Sequence, residues 1–410
     1  MQPHRFLRAV VSMALLITTL AGCAAAVPTP DPVTITFVHP NDQTGSYETW
    51  ALEFQEQYPH ITVELESRNN LNQADLAKRD VFTVSNFDWP GLLESQSVRD
   101  LSGFIELDDE LDVGDFYPSS LDAFRGGGRQ WGLPFGIDVM MIHYNRDLFD
   151  RYGVPYREAG WDWGDFVDTA LGVTDPAAEV YGYGVQHESE YAIFEPVIFI
   201  YQRGGGIFDS LTTPTMPTLD DPLNIEAMEF YASLMYDHGV APTPEDAQRM
   251  GRPYPWRSVM MEKVAMWTTF YSQRGGLQWR DGFEFNWGVA PMPRDATAGT
   301  LAQAEGLFIS AASEHPDAAW KLVSFLSTKM APFQIPARQS LAESSAFEQS
   351  VGADVALAAR ATLADAILVH PAIMGFETAL GAMGEAFTKI RMGQVPADIA
   401  LSEAQQKAGP

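Results

Sequence analysis

Val33 to Leu65 reads VTITFVHPNDQTGSYETWALEFQEQYPHITVEL. Its first six residues, Val33 to Val38, are mostly β-branched, the composition of a strand buried on both faces. The next eight, HPNDQTGS (His39 to Ser46), are polar and punctuated by proline and glycine, which predicts a loop. From Tyr47 to Tyr58 the side chains of Trp50, Phe54 and Tyr58 recur on one helical face, and Pro59 stops the helix. Ile61-Thr-Val-Glu-Leu65 then alternates as a second strand. A strand, a helix and a strand in this order join two parallel neighbours through a crossover, the unit from which α/β sheets are built. In open α/β sheets ligands sit beyond the carboxyl ends of the strands, so the His39 to Ser46 loop is a first candidate for a site.

The rest of the chain continues the pattern. After a glycine turn at Gly126 to Gly128, the stretch WGLPFGIDVMMIHYNRDLF (131 to 149) predicts apolar strand followed by a helix that starts near Asn145. Trp161-Asp-Trp-Gly-Asp-Phe166 opens another helix with Asp162 as its N-cap. Asn224 to His238 carries Ile225, Met228, Tyr231, Leu234 and Met235 at helical intervals, and Pro316 to Thr328 does the same through Trp320, Val323 and Leu326. Both read as amphipathic cover helices. Ala290 to Gln303, rich in proline and small residues, reads as a crossing between lobes or an exposed loop. No internal repeat or coiled-coil heptad is present.

With 410 residues, 46% of them hydrophobic and 12% aromatic, the chain can bury one or two sizeable cores. Its 26 Lys and Arg stand against 54 Asp and Glu, a net charge of -28, and no basic stripe relieves it, so a nucleic-acid partner is not expected. One cysteine excludes an intramolecular disulfide framework. That cysteine has a particular context. Arg5 and Arg8 precede an apolar run from Ala9 to Leu20, too short to remain as a membrane span, and Leu20-Ala21-Gly22 leads directly into Cys23. The order is that of a secretion signal. Cleavage after Ala24-Ala25-Ala26 also satisfies the small-residue rule and would discard Cys23. Val27 to Pro32 (VPTPDP) reads as a short extended tether.

Catalytic signatures are missing. His187-Glu188-Ser-Glu190-Tyr191 lacks the second histidine of a zinc helix, and there is no nucleophile elbow or phosphate-binding loop. Neither Gly126 to Gly128 nor Gly204 to Gly206 is followed by Lys-Ser/Thr, so both read as turns. Asp108-Asp109-Glu110 reads as a solvated loop, since three neighbours in sequence point different ways. Met140-Met141 and Met260-Met261 read as apolar core, with no metal chemistry. No cofactor is expected.

The order of VTITFVHPND, WGLPFGIDVMMIHYNRDLFDRYGVP, WDWGDF, MEKVAMW, WGVAPMPR, EGLFISAASEHPDAAWKLVSFL and IPARQS resembles the extracellular solute-binding proteins of bacterial ABC-type carbohydrate importers. The likeness runs over nearly the whole chain after the tether. Its most specific parts are the strand leading to YNRDLF (Tyr144 to Phe149) and EGLFIS followed by HPDAAWKLVSFL (Glu305 to Leu326). Leu20-Ala21-Gly22-Cys23 likewise resembles the lipobox of bacterial lipoproteins, which implies residues 1–22 as signal peptide, diacylation of Cys23 and 23–32 as a lipidated tether. The family resemblance implies an α/β, two-lobed periplasmic-binding-protein-like fold (type II), each lobe a mostly parallel sheet flanked by helices and joined by hinge strands. It assigns 33–145 and 300–334 to lobe one, and 146–299 and 335–410 to lobe two. It further implies a monomer outside the cytoplasm, lipid-anchored to the membrane, that binds a mono- or oligosaccharide, closes about its hinge and docks on a membrane permease.

Sugar recognition needs flat aromatic faces against pyranose C–H surfaces and planar polar groups for pairs of hydroxyls. Asn41, Asp42 and Gln43 follow the first strand, where the resemblance places ligand contacts. Ser85-Asn86-Phe87-Asp88-Trp89 follows the short strand Val81 to Val84, and offers Asp88 and Trp89 at another carboxyl end. Asp138 is a charge inside the apolar GLPFGIDVMMI, so it either faces a cleft or is tied to an arginine. Trp256 sits in a proline-rich loop. Glu305 and Gly306 precede a returning strand, where the glycine lets backbone amides approach a ligand. The resemblance adds Trp267 and Tyr271 after Lys263-Val-Ala-Met266, and Arg338 in IPARQS, for which a salt bridge is the alternative. Two other functions stay open: the same fold holding a metal complex, polyamine or phosphodiester, and a secreted glycosidase with two carboxylates across the scissile bond.

Overall fold

The computed structural model describes residues 31–40, 45–68, 72–185, 192–211, 214–250, 255–277, 282–368, 373 and 376–409. Residues Asn41, Asp42, Gln43 and Cys23, and the side chain of Trp256, lie outside the described part.

The chain opens as its sequence predicts, with β1 (Val33–His39), α1 (Ser46–Gln57) and β2 (Ile61–Ser67). β2 and β3 (Val81–Ser85) flank β1, both parallel to it. β4 (Leu133–Asn145) is thirteen residues long and buried along its whole length. It feeds α2 (Arg146–Tyr152), whose N-cap Asn145 accepts the Leu148 N–H. α3 (Trp163–Val173) begins with a capping box in which the Asp162 carboxylate accepts from Asp165 and the Asp165 side chain from Asp162. β5 (Tyr181–Gly184), α4 (Phe194–Arg203), α5 (Pro222–Tyr236), β6 (Val264–Phe270) and β7 (Trp287–Ala290) follow. β8 (Thr300–Ile309) returns antiparallel to β4 and leads to α6 (Pro316–Leu326). The chain closes with α7 (Ala353–Ala364), β9 (Ala366–Leu368), α8 (Glu377–Arg391) and α9 (Ala397–Ala408).

The strands form one sheet in the order β2-β1-β3-β8-β4-β6-β5, with β7 also on β4 and β9 on β8. β4 changes partners halfway. Its residues from Leu133 to Val139 pair with β8, and those from Met140 to Asn145 with β6 and β7. Two large cores result. One gathers Ile35, Phe54, Ile137 and Leu307, and the other Phe166, Phe199, Tyr231 and Met266. β4 and β8 are thus the two long strands crossing between an N-terminal and a central lobe, each flanked by its own helices.

The C-terminal part departs from the expected division. Residues 335–364 were expected with lobe two, yet Val355, Ala356, Ala359 and Leu363 of α7 pack into the first core. Alanine at three of the six buried positions of α7 lets the helix lie close against β4 and β7 where they leave lobe one. Ile367 of β9 packs against the second core, and from Ile373 onward the buried side chains belong to it. Met140 and Met141 are buried, but Met260 and Met261, at the end of a short helix and in the turn after it, are 42% and 49% exposed.

Candidate functional site

The strands of the two lobes bring three groups of side chains to the crossing. The first lies at the carboxyl end of β3. Ser85 accepts the Asp88 N–H through its carbonyl, making a turn with Phe87 at its tip, and the Ser85 hydroxyl donates to the Asp88 carboxylate at 2.8 Å. Beside them the Arg68 guanidinium donates to Glu305 of β8 at 2.9 Å and to the Thr83 carbonyl at 2.7 Å. Burial raises the Glu305 carboxyl above its usual range, Arg68 opposes the rise, and the Asp88 charge adds to it. Asn86 locks this turn to β8, its N–H donating to Ala304 and its side-chain oxygen accepting from the Ala304 N–H.

The second group is aromatic. Phe87 of lobe one stacks on Phe194 of α4, ring centroids 6.3 Å apart, and Phe194 meets Phe270 at the end of β6 edge-on at 6.4 Å. Behind Phe194 lies a cavity of about 260 Å³ lined by Phe87, Val197, Tyr201, Ile367, Leu368 and further apolar side chains of α4 and α8.

The third group sits between the hinge strands. Asp138 on β4 accepts the Ser272 N–H at 2.9 Å and the Gln303 amide of β8 at 3.4 Å. Its burial raises the carboxyl to about 6, against the pull of those donors and of Arg274. Arg274 lies 4.0 Å over the Tyr271 ring and donates to the Phe333 carbonyl. Burial pushes the Tyr271 phenol up to about 12.

Of the residues expected at a site, the structure brings Asp88 and Glu305 together, and Asp138 with Tyr271. Asp138 and Tyr271 are enclosed between the lobes rather than open to solvent. Trp89 turns inward, stacking on Phe308 and donating its indole N–H to Ala123. Trp267 is fully buried among Val259, Val264 and Phe285, because its strand is covered on both faces. Gly306 serves packing: a Cβ there would stand 2.8 Å from the Phe124 ring. Arg338 takes the salt-bridge alternative, pairing with Asp115 at 3.4 Å, donating to Ser327 and lying 4.7 Å over Phe116. Phe87, Phe194 and Arg68 are residues the sequence reading missed. For Phe87 a signal existed, since Ser-Asn-Phe-Asp is a turn sequence whose aromatic cannot reach its own lobe's core.

Among the described residues no cluster of His, Cys, Asp and Glu is placed to hold a metal ion, and no helix is long and apolar enough to cross a membrane. Two lobes on hinge strands, with polar and aromatic groups at the crossing, define a two-lobed binding protein. The family model for bacterial extracellular solute-binding proteins matches residues 41–331, and the chain belongs to that family. Membership places it outside the cytoplasm, in a family of binding proteins. A binding protein of Brucella abortus is 26% identical over 305 residues, 71% of this chain and 69% of that one. An ABC substrate-binding protein of Listeria monocytogenes, solved in complex with cycloalternan, superposes with a TM-score of 0.73 at 24% identity, over 92% of this chain and 98% of that one. The sugar-binding protein MalE of Xanthomonas citri gives 0.74 at 20% identity, over 92% and 96%. These likenesses establish the fold predicted from sequence.

Proposed function

We propose that the chain binds a carbohydrate between its lobes and delivers it to an ABC-type membrane permease, closing about β4 and β8 as it does so. The observation that carries this reading is the file of rings Phe87, Phe194 and Phe270 running from one lobe to the other beside the polar turn of Ser85, Asp88, Arg68 and Glu305. Rings that stack on C–H faces next to charged groups that accept and donate to hydroxyls are the two parts a saccharide subsite needs. The cycloalternan complex and the sugar-binding protein that share the fold support the same ligand class. A ligand touching both lobes stabilises the closed form by its differential affinity for it. The lobes are taken as 33–139 with 302–364, and 140–301 with 373–409. The protein acts as a monomer tethered through diacylated Cys23 and turns over no substrate.

Thermal unfolding against mono- and oligosaccharides, polyamines and metal ions tests the reading. A ligand at a hundredfold excess over Kd adds about 2.7 kcal/mol. Stabilisation by one sugar class is the expected result. Stabilisation only by a polyamine or metal overturns the sugar assignment, and release of product from a glycoside overturns binding without catalysis.

A further inference from the structure

We infer that the ligand is amphipathic: a sugar bearing an alkyl or aryl substituent, with the substituent seated in the cavity behind Phe194. The inference rests on the carbohydrate reading and narrows it. The cavity, about 260 Å³, is closed on one side by Phe87 of lobe one and on the other by α4 and α8 of lobe two. Among its described lining residues Tyr201 alone carries a hydroxyl, and burial alone pushes that phenol well above its usual range.

A pyranose presents hydroxyls around its whole rim, and each one buried without a partner weakens binding by about tenfold. One phenol cannot satisfy such a rim. A hydrocarbon group loses nothing there, and each methylene it buries strengthens binding by about fourfold. Polar partners stand just outside. Phe87 closes the cavity from the tip of the turn that carries Ser85 and Asp88, with the Arg68–Glu305 pair alongside. One molecule therefore meets both environments, its sugar on the charged turn and its apolar group past Phe87. The apolar group also touches both lobes, so it adds to the differential affinity for the closed form.

The test is calorimetric titration of the purified protein with n-alkyl glycosides of glucose, galactose and arabinose, from methyl to hexyl, and with n-hexanol alone. Affinity is expected to climb about fourfold per methylene until the cavity is full. Leu211→Gln and Leu368→Gln should shrink that gain per methylene. Leu211 is 42% exposed and lines the cavity, so its replacement does not threaten folding. An affinity flat from methyl to hexyl, or a gain untouched by both variants, overturns the inference and leaves the carbohydrate reading standing. Binding of n-hexanol without any glycoside overturns the carbohydrate reading, and the assignment of a sugar substituent falls with it.

Discussion

Phe87, at the tip of the turn after β3, stacks on Phe194, in the first turn of α4, with ring planes 22° apart. The two rings belong to different lobes, so their contact exists only while the lobes are together. A stacked aromatic pair contributes about 0.5 to 1.5 kcal/mol beyond the area it buries. Here that sum acts on hinge closure rather than on the folding of either lobe.

Phe87→Ala should therefore separate binding from stability. The melting midpoint is expected to move little, since Phe87 is only half-buried and leaves no cavity within a lobe core. Ligand affinity is expected to fall by about tenfold, corresponding to roughly 1.4 kcal/mol. Titration calorimetry and a thermal melt on the same preparation decide it. An unchanged Kd would remove the aromatic file from the site.

Arg68 and Glu305 form an unequal pair, the arginine side chain 32% exposed and the carboxylate 9%. Removing the arginine strands a buried carboxylate, whereas removing the charge of Glu305 leaves an arginine that water can still reach. Arg68→Ala should thus destabilise by about 2 kcal/mol more than Glu305→Gln, and the double variant should recover most of the difference. Chemical denaturation of the three variants measures this. Equal losses in the two single variants would contradict it.

Much of the scaffold was legible because local chemistry and tertiary packing agreed there. The β1-α1-β2 opening, the helix start near Asn145, the Asp162 cap and the apolar strand before Asn145 each rest on patterns a few residues long. The site was less legible. Nothing local tells Trp89 and Trp267, which face cores, from Phe87 and Phe194, which face the other lobe. That depends on which strands lie side by side, and β4 and β8 are 165 residues apart at the Asp138–Gln303 contact. The helical periodicity of α7 likewise identifies an apolar face but not the core that receives it.

Trp267 offers a negative control for the site. Its ring lies within a lobe-two cluster, and among the described residues its indole N–H has no partner, so phenylalanine sacrifices volume but no hydrogen bond. Trp267→Phe is expected to cost about 1 to 2 kcal/mol of stability through the space it leaves, with ligand affinity unchanged. A tenfold loss of affinity at full folding would return Trp267 to the binding surface.

Asp138 and His143 lie five residues apart on β4, and burial makes stability depend on pH in opposite senses at the two. The Asp138 carboxyl is raised to about 6 by burial, so the folded state holds its proton more tightly than the unfolded state does. Its neutral form is favoured below the unfolded value near 4, and that stability is lost as pH rises to about 6, by roughly 3 kcal/mol. His143 is lowered to about 3 by burial, with Arg274 adding to the effect. The unfolded state therefore binds the histidine proton first, and stability is lost as pH falls from about 6.5 toward 3. Between pH 4 and 6 the two slopes oppose. Asp138→Asn keeps an oxygen for the Ser272 N–H and removes one slope only. The variant should gain roughly 3 kcal/mol on wild type between pH 4 and 6.5, and on its own should lose stability steeply toward acid. Urea denaturation of both proteins across that range gives the difference curve. A flat difference would mean that Asp138 is ionised in the folded hinge throughout, held so by Arg274.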